Sequence, residues 1–234
     1  MLSMLSVRPL AAIAIAMLAC FAQAREVRPS VVVIRSDGAF ESTWWRKLEA
    51  DGVSFSNVPS APNPTSNLAE WLGGCHELRA GVSHVRGGRQ WIRPDVPLMS
   101  EMFKAAGYRT AIFGEWGLGD ALPFRPEDRG FGDVQVLGGS GLNSPGDRWG
   151  NSDVDPWLRD TKGWSKKSGP LAKVLSAEIS SYLSTLAESK GSFFLQINLP
   201  KGCSSVGDSI LADLDRLELP RCIVVGITRE PVKA

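Results

Sequence analysis

Few residues in this chain have a type and spacing that could do chemistry. Asp37 follows the β-branched run Val31-Val32-Val33-Ile34. A carboxylate at the C-terminal end of a strand is where open α/β sheets place ligand-binding groups. Gly38 comes next, and Asp-Gly is equally a favoured turn pair. Thr65 and Ser66 carry hydroxyls at the start of a helical run ending near Leu72. Hydroxyls there cap the first backbone N–H groups or, beside an anionic ligand, serve as activated oxygens. Lys201 follows the apolar run that ends at Leu199; its ammonium could hold an anion, but an ordinary lysine is a poor general acid near neutral pH. Only two histidines, His76 and His84, are present. A site built from several imidazoles is therefore excluded. Asp153 and Asp155 are spaced two apart as in a calcium loop, but no EF-hand completion follows, and the stretch reads as solvated loop.

The elements that would position these residues alternate. Pro29 to Ile34 reads as a buried strand of a mostly parallel sheet. Trp44 to Asp51 reads as a helix with Trp44, Trp45 and Leu48 on one face, and Gly52 to Asn57 as a short strand. The run from Pro97 to Ala106 reads as an amphipathic helix with Leu98, Met102, Ala105 and Ala106 inward, closed by Gly107. Thr110-Ala111-Ile112-Phe113 is a short apolar strand, and Gly114, Gly117 and Gly119 crowd the turn after it, which lets backbone approach another element closely. Past Phe131, the Gly138–Gly141 run and Trp149–Asp155 read as polar loops, and Thr161–Gly169 as exposed. Leu171 to Ser189 places Leu171, Val174, Leu175, Ile179, Leu183 and Leu186 along one helical stripe, which is core. A strand over Gly191–Asn198, a helix over Ile210–Leu217 and a strand over Leu219–Thr228 complete the chain. The expected fold is α/β, with a mostly parallel central sheet flanked by helices.

The run GYRTAIFGEWGLGDALPFRPEDRGF, Gly107–Phe131, resembles the G-Y-x-T-x-x-x-G-K-W-H-L-G stretch of the sulfatase family, within the alkaline phosphatase superfamily, with its downstream P-x-D-R-G-F. The resemblance extends over about residues 28 to 231. It implies a sulfatase-like α/β domain at 25–234, with the family's smaller C-terminal subdomain lying beyond Ala234. It also shows where the chemistry departs. The family's sulfate-holding Lys and His read Glu115 and Gly117. Of its calcium-binding Asp-Asp pair, Asp37 matches the first and Gly38 replaces the second. The formylglycine motif C-x-P-x-R is missing: the aligned position falls on Pro64 or Thr65, and the active-site Arg after the next Gly is Cys75. The family's His after A-P is Lys201, and Arg229 and Glu230 stand where Asp and Asn complete the calcium site. Superfamily members with an unmodified Thr or Ser nucleophile make Thr65 or Ser66 the alternative catalytic hydroxyl, with Asp37 as metal ligand. The resemblance thus implies a catalytically inactive sulfatase-like protein. Its partner would be a sulfated or anionic glycan. No cofactor is expected; calcium would be the ion if the family site were retained.

Composition agrees with a single globular domain. The chain has 234 residues, 43% of them hydrophobic, with 26 basic against 25 acidic side chains. That balance gives no argument for nucleic acid or an anionic membrane surface. Arg8, the apolar run from Leu10 and the A-x-A site Ala22-Gln23-Ala24 read as a signal peptide over residues 1–24, too short to span a membrane. Cys20 is an alternative lipid-attachment site. The expected location is secreted or periplasmic. Setting Cys20 aside leaves Cys75, Cys203 and Cys222, an odd number from which no pairing follows.

Overall fold

In the computed structural model, the structure describes residues 28–36, 42–56, 58–61, 63–84, 90–144, 146–189, 191–219 and 222–228. Seven strands form one sheet: β1 (Ser30–Ser36), β2 (Arg109–Gly114), β3 (Asp133–Val136), β4 (Trp157–Asp160), β5 (Gly163–Lys166), β6 (Phe193–Leu199) and β7 (Cys222–Ile227), in the order β5-β4-β3-β2-β6-β1-β7. β3, β2, β6, β1 and β7 are parallel; β4 and β5 add an antiparallel hairpin at one end. The helices are α1 (Thr43–Asp51), α2 (Pro64–Gly73), α3 (Glu77–Ala80), α4 (Met99–Ala105), α5 (Leu171–Ser189) and α6 (Val206–Arg216), with a 3-10 turn at Pro126–Arg129.

The period of two along the strands splits the core into two layers. Val32, Ile34, Ala111, Phe113, Phe193, Leu195 and Ile197 face α1, α5 and α6, and the expected stripe of α5 is buried from Leu171 to Leu186. Val33, Ile112, Val134, Val136 and Phe194 face α2 and the loops around Trp116 and Phe131. Strands covered on both faces carry near-continuous apolar runs, which is why VVVI, TAIF and FFLQI lack a polar face.

Several expected details are corrected. Residues 53–56 form no strand; Val53 and Phe55 are each 81% exposed. The inward face of α4 is not Leu98, Met102, Ala105 and Ala106. Leu98 is buried ahead of the helix, Met102 is exposed, and Ser100 is the residue sunk within it, donating to the Arg129 carbonyl. β3 and β4 lie in stretches assigned no element from the sequence, and β5 lies in the stretch read as exposed. Their four-residue lengths carry too few alternations to stand out beside the glycines around them. Cys75, Cys203 and Cys222 are all free thiols. No helix among the described residues is long and apolar enough to cross a membrane.

The Gly107–Phe131 run is structural. Arg129 is buried and donates to Glu101 (2.8 Å) and to the Val96 carbonyl (2.6 Å), tying the 3-10 turn to α4. Gly114 closes β2 at φ 94°, where any Cβ would overlap the Asn198 carbonyl of β6. Gly114→Ala should therefore cost at least about 2 kcal/mol, from left-handed backbone strain plus overlap in a packed sheet. Chemical denaturation of the purified variant checks this; Gly107→Ala, where a Cβ meets open space, is the control for strain alone.

Candidate functional site

The C-terminal edge of the parallel strands gathers four segments: the N-terminus of α2 after β1, the loop after β2, the loop after β3, and the turn after β6. α2 begins with Pro64 at its first position, and Asn63 is its cap, accepting from the Ser66 N–H at 2.7 Å. This corrects the expectation that Thr65 or Ser66 caps the helix. Ser66 is fully buried; its Oγ accepts from Asn63 Nδ2 (2.8 Å) and donates to the Val82 carbonyl (2.9 Å). Its hydroxyl is thus committed to holding the helix start.

Thr65 is also buried, but its hydroxyl faces the loop after β2: a Cβ on Gly117 would lie 3.4 Å from Thr65 Oγ1 and 3.3 Å from Ser140 Cβ. Thr65 Oγ1 has no hydrogen-bond partner among the described residues. Gly117 (φ 72°) donates to the Gly139 carbonyl, and Gly139 donates to Asp120 Oδ2 at 2.9 Å. The loops after β2 and β3 therefore close on each other, and glycine at 117 leaves the Thr65 hydroxyl its space.

The sheet holds the loop after β2 through polar groups the sequence reading passed over. Gln196 and Asn198 lie on the α2 side of β6 and are buried. Trp71 Nε1 donates to Gln196 Oε1 (3.2 Å), Gln196 Nε2 donates to Asn198 Oδ1 (2.7 Å), and Asn198 Nδ2 donates to the Glu115 carbonyl (2.7 Å). Glu115 N–H returns a bond to the Asn198 carbonyl at 2.9 Å. The Glu115 side chain leans over Gly141, whose Cβ would overlap it. Two polar residues in a strand otherwise apolar were the available signal.

Arg35 is the other residue passed over. It is buried at the end of β1, and its guanidinium donates to Asn67 Oδ1 at 2.7 Å and reaches the Pro64 carbonyl at 3.5 Å. A positive charge thus sits beside the start of α2. A basic residue directly after four β-branched apolar ones was its signal.

Lys201 lies exposed on the turn after β6, where Cys203 N–H bonds the Pro200 carbonyl. Cys203 is buried, and desolvation, with smaller pushes from Glu115 and Asp153, raises its thiol to about 11. His76 caps α3 by accepting from the Leu78 N–H, and His84 is exposed. Asp37, Arg229 and Glu230 lie outside the described residues.

A divalent cation does not fit the described donors. At the ends of β1 and β7 these are Arg35, Ser36, Ile227 and Thr228, one guanidinium and two hydroxyls without a carboxylate. Calcium takes six to eight oxygens, usually with carboxylates among them. Among the described residues no group of three His, Cys, Asp or Glu side chains is arranged for a metal.

This fold and edge have known counterparts. The chain is 26% identical over 144 residues to an arylsulfatase of Klebsiella aerogenes, a match covering 51% of this chain and 30% of that protein. It is 27% identical over 168 residues to arylsulfatase G of Rattus norvegicus, covering 57% and 31%. Over about half its length, the chain is similar to arylsulfatases. Among solved structures, the chain superposes on Ps i-CgsB with a TM-score of 0.72 at 17% identity, covering 86% of this chain and 58% of that one. It superposes on the PsFucS1 sulfatase from Pseudoalteromonas sp. with a TM-score of 0.64 at 15% identity, covering 92% and 58%. Another neighbour, at a TM-score of 0.56, 14% identity and 74% and 34% coverage, was solved with its substrate D-glucosamine-2-N,6-O-disulfate. No family model matches the chain. The chain therefore spans less than two thirds of each of these relatives.

Asp120 gives the site a measurable pH signature. Burial pushes its carboxyl above the ordinary value, opposed by the Gly139 N–H and by the Arg159 and Arg148 guanidiniums. A carboxyl raised in the folded state supports folding fully below its unfolded value, and that support is lost as pH rises through the folded one. Asp120→Asn keeps an acceptor for Gly139 without the buried charge. Its melting temperature relative to wild type should climb between pH 4 and pH 7. Asp120→Ala orphans the Gly139 N–H and should lose about 1–3 kcal/mol.

Proposed function

We propose that this sulfatase-like domain is an exported binding protein for a sulfated or anionic glycan, with no sulfatase turnover. One observation carries the loss of turnover. The Thr65 hydroxyl at the start of α2 has no base within hydrogen-bond reach among the described residues, and hydroxyl nucleophiles need one, or a metal, to attack. Glu115 stands where the resemblance places a sulfate-holding lysine, so the ammonium that would hold a sulfate ester there is absent. Support for a glycan comes from the relatives: Ps i-CgsB was also solved with k-i-k-neocarrahexaose, and another neighbour with a sulfated glucosamine. Lys201, exposed at the rim, is the cation nearest in sequence to the site for an anionic group. Calcium bound through Asp37 belongs to the active-enzyme reading only.

The alternative is a hydrolase of sulfate or phosphate esters in the alkaline phosphatase superfamily, with Thr65 or Ser66 as nucleophile. What favours Thr65 is its place in the first turn of a ten-residue helix, facing the gap that Gly117 leaves open. Helix N-termini favour developing negative charge. Ser66 lacks that freedom.

Turnover of 4-nitrophenyl sulfate and 4-nitrophenyl phosphate, with calcium or zinc supplied, separates the two. Background rates, equal in wild type, Thr65→Ala and Asp37→Ala, are expected. A wild-type rate lost in Thr65→Ala would establish the hydrolase instead. Export rests on residues 1–24, outside the described residues. Intact mass of the protein recovered from the periplasm or medium should correspond to a chain beginning at Arg25; retention of residues 1–24 would contradict it.

A further inference from the structure

The β4–β5 hairpin at the end of the sheet carries a surface that the reading above does not use. Trp157 stands opposite Lys166, and Arg159 opposite Trp164. Directly paired residues share a face, as do residues two apart on a strand. Trp157, Arg159, Trp164 and Lys166 therefore all lie on one side of the hairpin, while Leu158 on the other side is buried in the core. On the Trp157 side Lys166 is exposed and Trp157, Arg159 and Trp164 are partly buried, so indole and cation alternate on an edge hairpin. Solubility alone asks for charge there, not indole.

A third indole joins this face from the preceding loop. Trp149 stacks on Trp157 with ring centroids 4.5 Å apart and planes at 16°, and lies 6.1 Å from Trp164. It stays 44% exposed all the same. The loop that presents it is pinned. Asn151, only 4% exposed, exchanges hydrogen bonds with Trp157 and binds both carboxylate oxygens of Asp147, whose Oδ1 also accepts from the Trp149 N–H. An exposed indole held this firmly is ordered before any ligand arrives, which lowers the entropy cost of binding.

Charge and position complete the surface. Arg148, beside Trp149, and Lys166 are exposed and have no ion pair among the described residues, whereas Arg159 is held by Glu127. The face also adjoins the candidate site. A Cβ on Gly138 would lie 3.0 Å from Trp164 Cη2 and 3.7 Å from Asp147 Cα, and Gly138 starts the loop that carries Gly139 and Ser140.

We infer that Trp149, stacked on Trp157 and flanked by Arg148 and Lys166, is a platform on which a sugar ring of a sulfated oligosaccharide stacks, its sulfate groups paired with the two cations. The negative face of an indole attracts the C–H groups of a pyranose ring, and its area excludes water from the contact. The cations select sulfated chains over neutral ones. This inference rests on the glycan-binding reading and extends it by naming the surface; Thr65 and the loops packed around it are not part of it.

The test is titration calorimetry of the full chain with a carrageenan hexasaccharide, its desulfated counterpart and polyaspartate. Wild type should bind the sulfated sugar at least about tenfold more tightly than either control. Trp149→Ala should weaken that binding about tenfold, and Trp149→Tyr should restore most of it. The exposed pair Arg148→Glu and Lys166→Glu, which leaves the indoles in place, should abolish the preference for sulfate even if Trp149→Ala disturbs the fold. Unchanged affinity in both sets, with wild type binding, would overturn the platform alone. Failure of wild type to bind the sulfated sugar would overturn the glycan-binding reading with it. Equal affinity for polyaspartate would show a general anion surface and overturn the sugar assignment.

Discussion

Asn198 joins the sheet to the site. Its side chain donates to the Glu115 carbonyl while its own carbonyl takes the Glu115 N–H, so the first residue past β2 is held on both sides by the end of β6. Gly114 makes this approach sterically feasible. Everything further along the loop, including Trp116 with its indole bonded to two carbonyls and Gly117 against Thr65, takes its position from that clasp. Gln196 and Trp71 extend it to α2. A buried chain of polar groups is stabilising only when each member is satisfied, and here the chain begins on a helix and ends on backbone.

The same frame explains how fold and chemistry separate. Arg129 and Gly130 lock the segment before β3 onto α4, and neither reaches the ligand edge. A sulfatase-like architecture can therefore stand while the charges at its edge change. At the described positions the change is a reversal. A carboxylate, Glu115, lies where the resemblance places a lysine, and a guanidinium, Arg35, lies beside the helix start. Unit charges 4 Å apart interact by about 4 kcal/mol at an effective dielectric near 20. Reversals of that size decide which ions a pocket admits.

Much of the fold was legible because its signals are periodic. The α5 stripe and the apolar runs of β1, β2 and β6 follow from spacing, and their order gives an α/β sheet. The hairpin was not legible: four-residue strands rich in Trp, Arg and Lys read as surface, and only pairing brings their side chains to one face. In the site, Thr65 could be singled out because a helix start has a recognisable neighbourhood. Asn63 was missed as the cap, two residues before Thr65 and three before Ser66, although Pro64 suits the first helical position and points to the residue before it. Arg35 and Asn198 stand out by type in their strands, but what they do could not be read. Their roles come from partners 32 and 83 positions away in the chain, a separation that no local pattern encodes.

The most direct measurement of the reversed electrostatics is the metal content of the purified chain after dialysis against calcium, by mass spectrometry of the ion. Well under one equivalent of calcium or zinc per chain, unchanged in Asp37→Ala, is the expected result. A full equivalent that disappears in Asp37→Ala would show that the edge still holds a divalent cation and would contradict it.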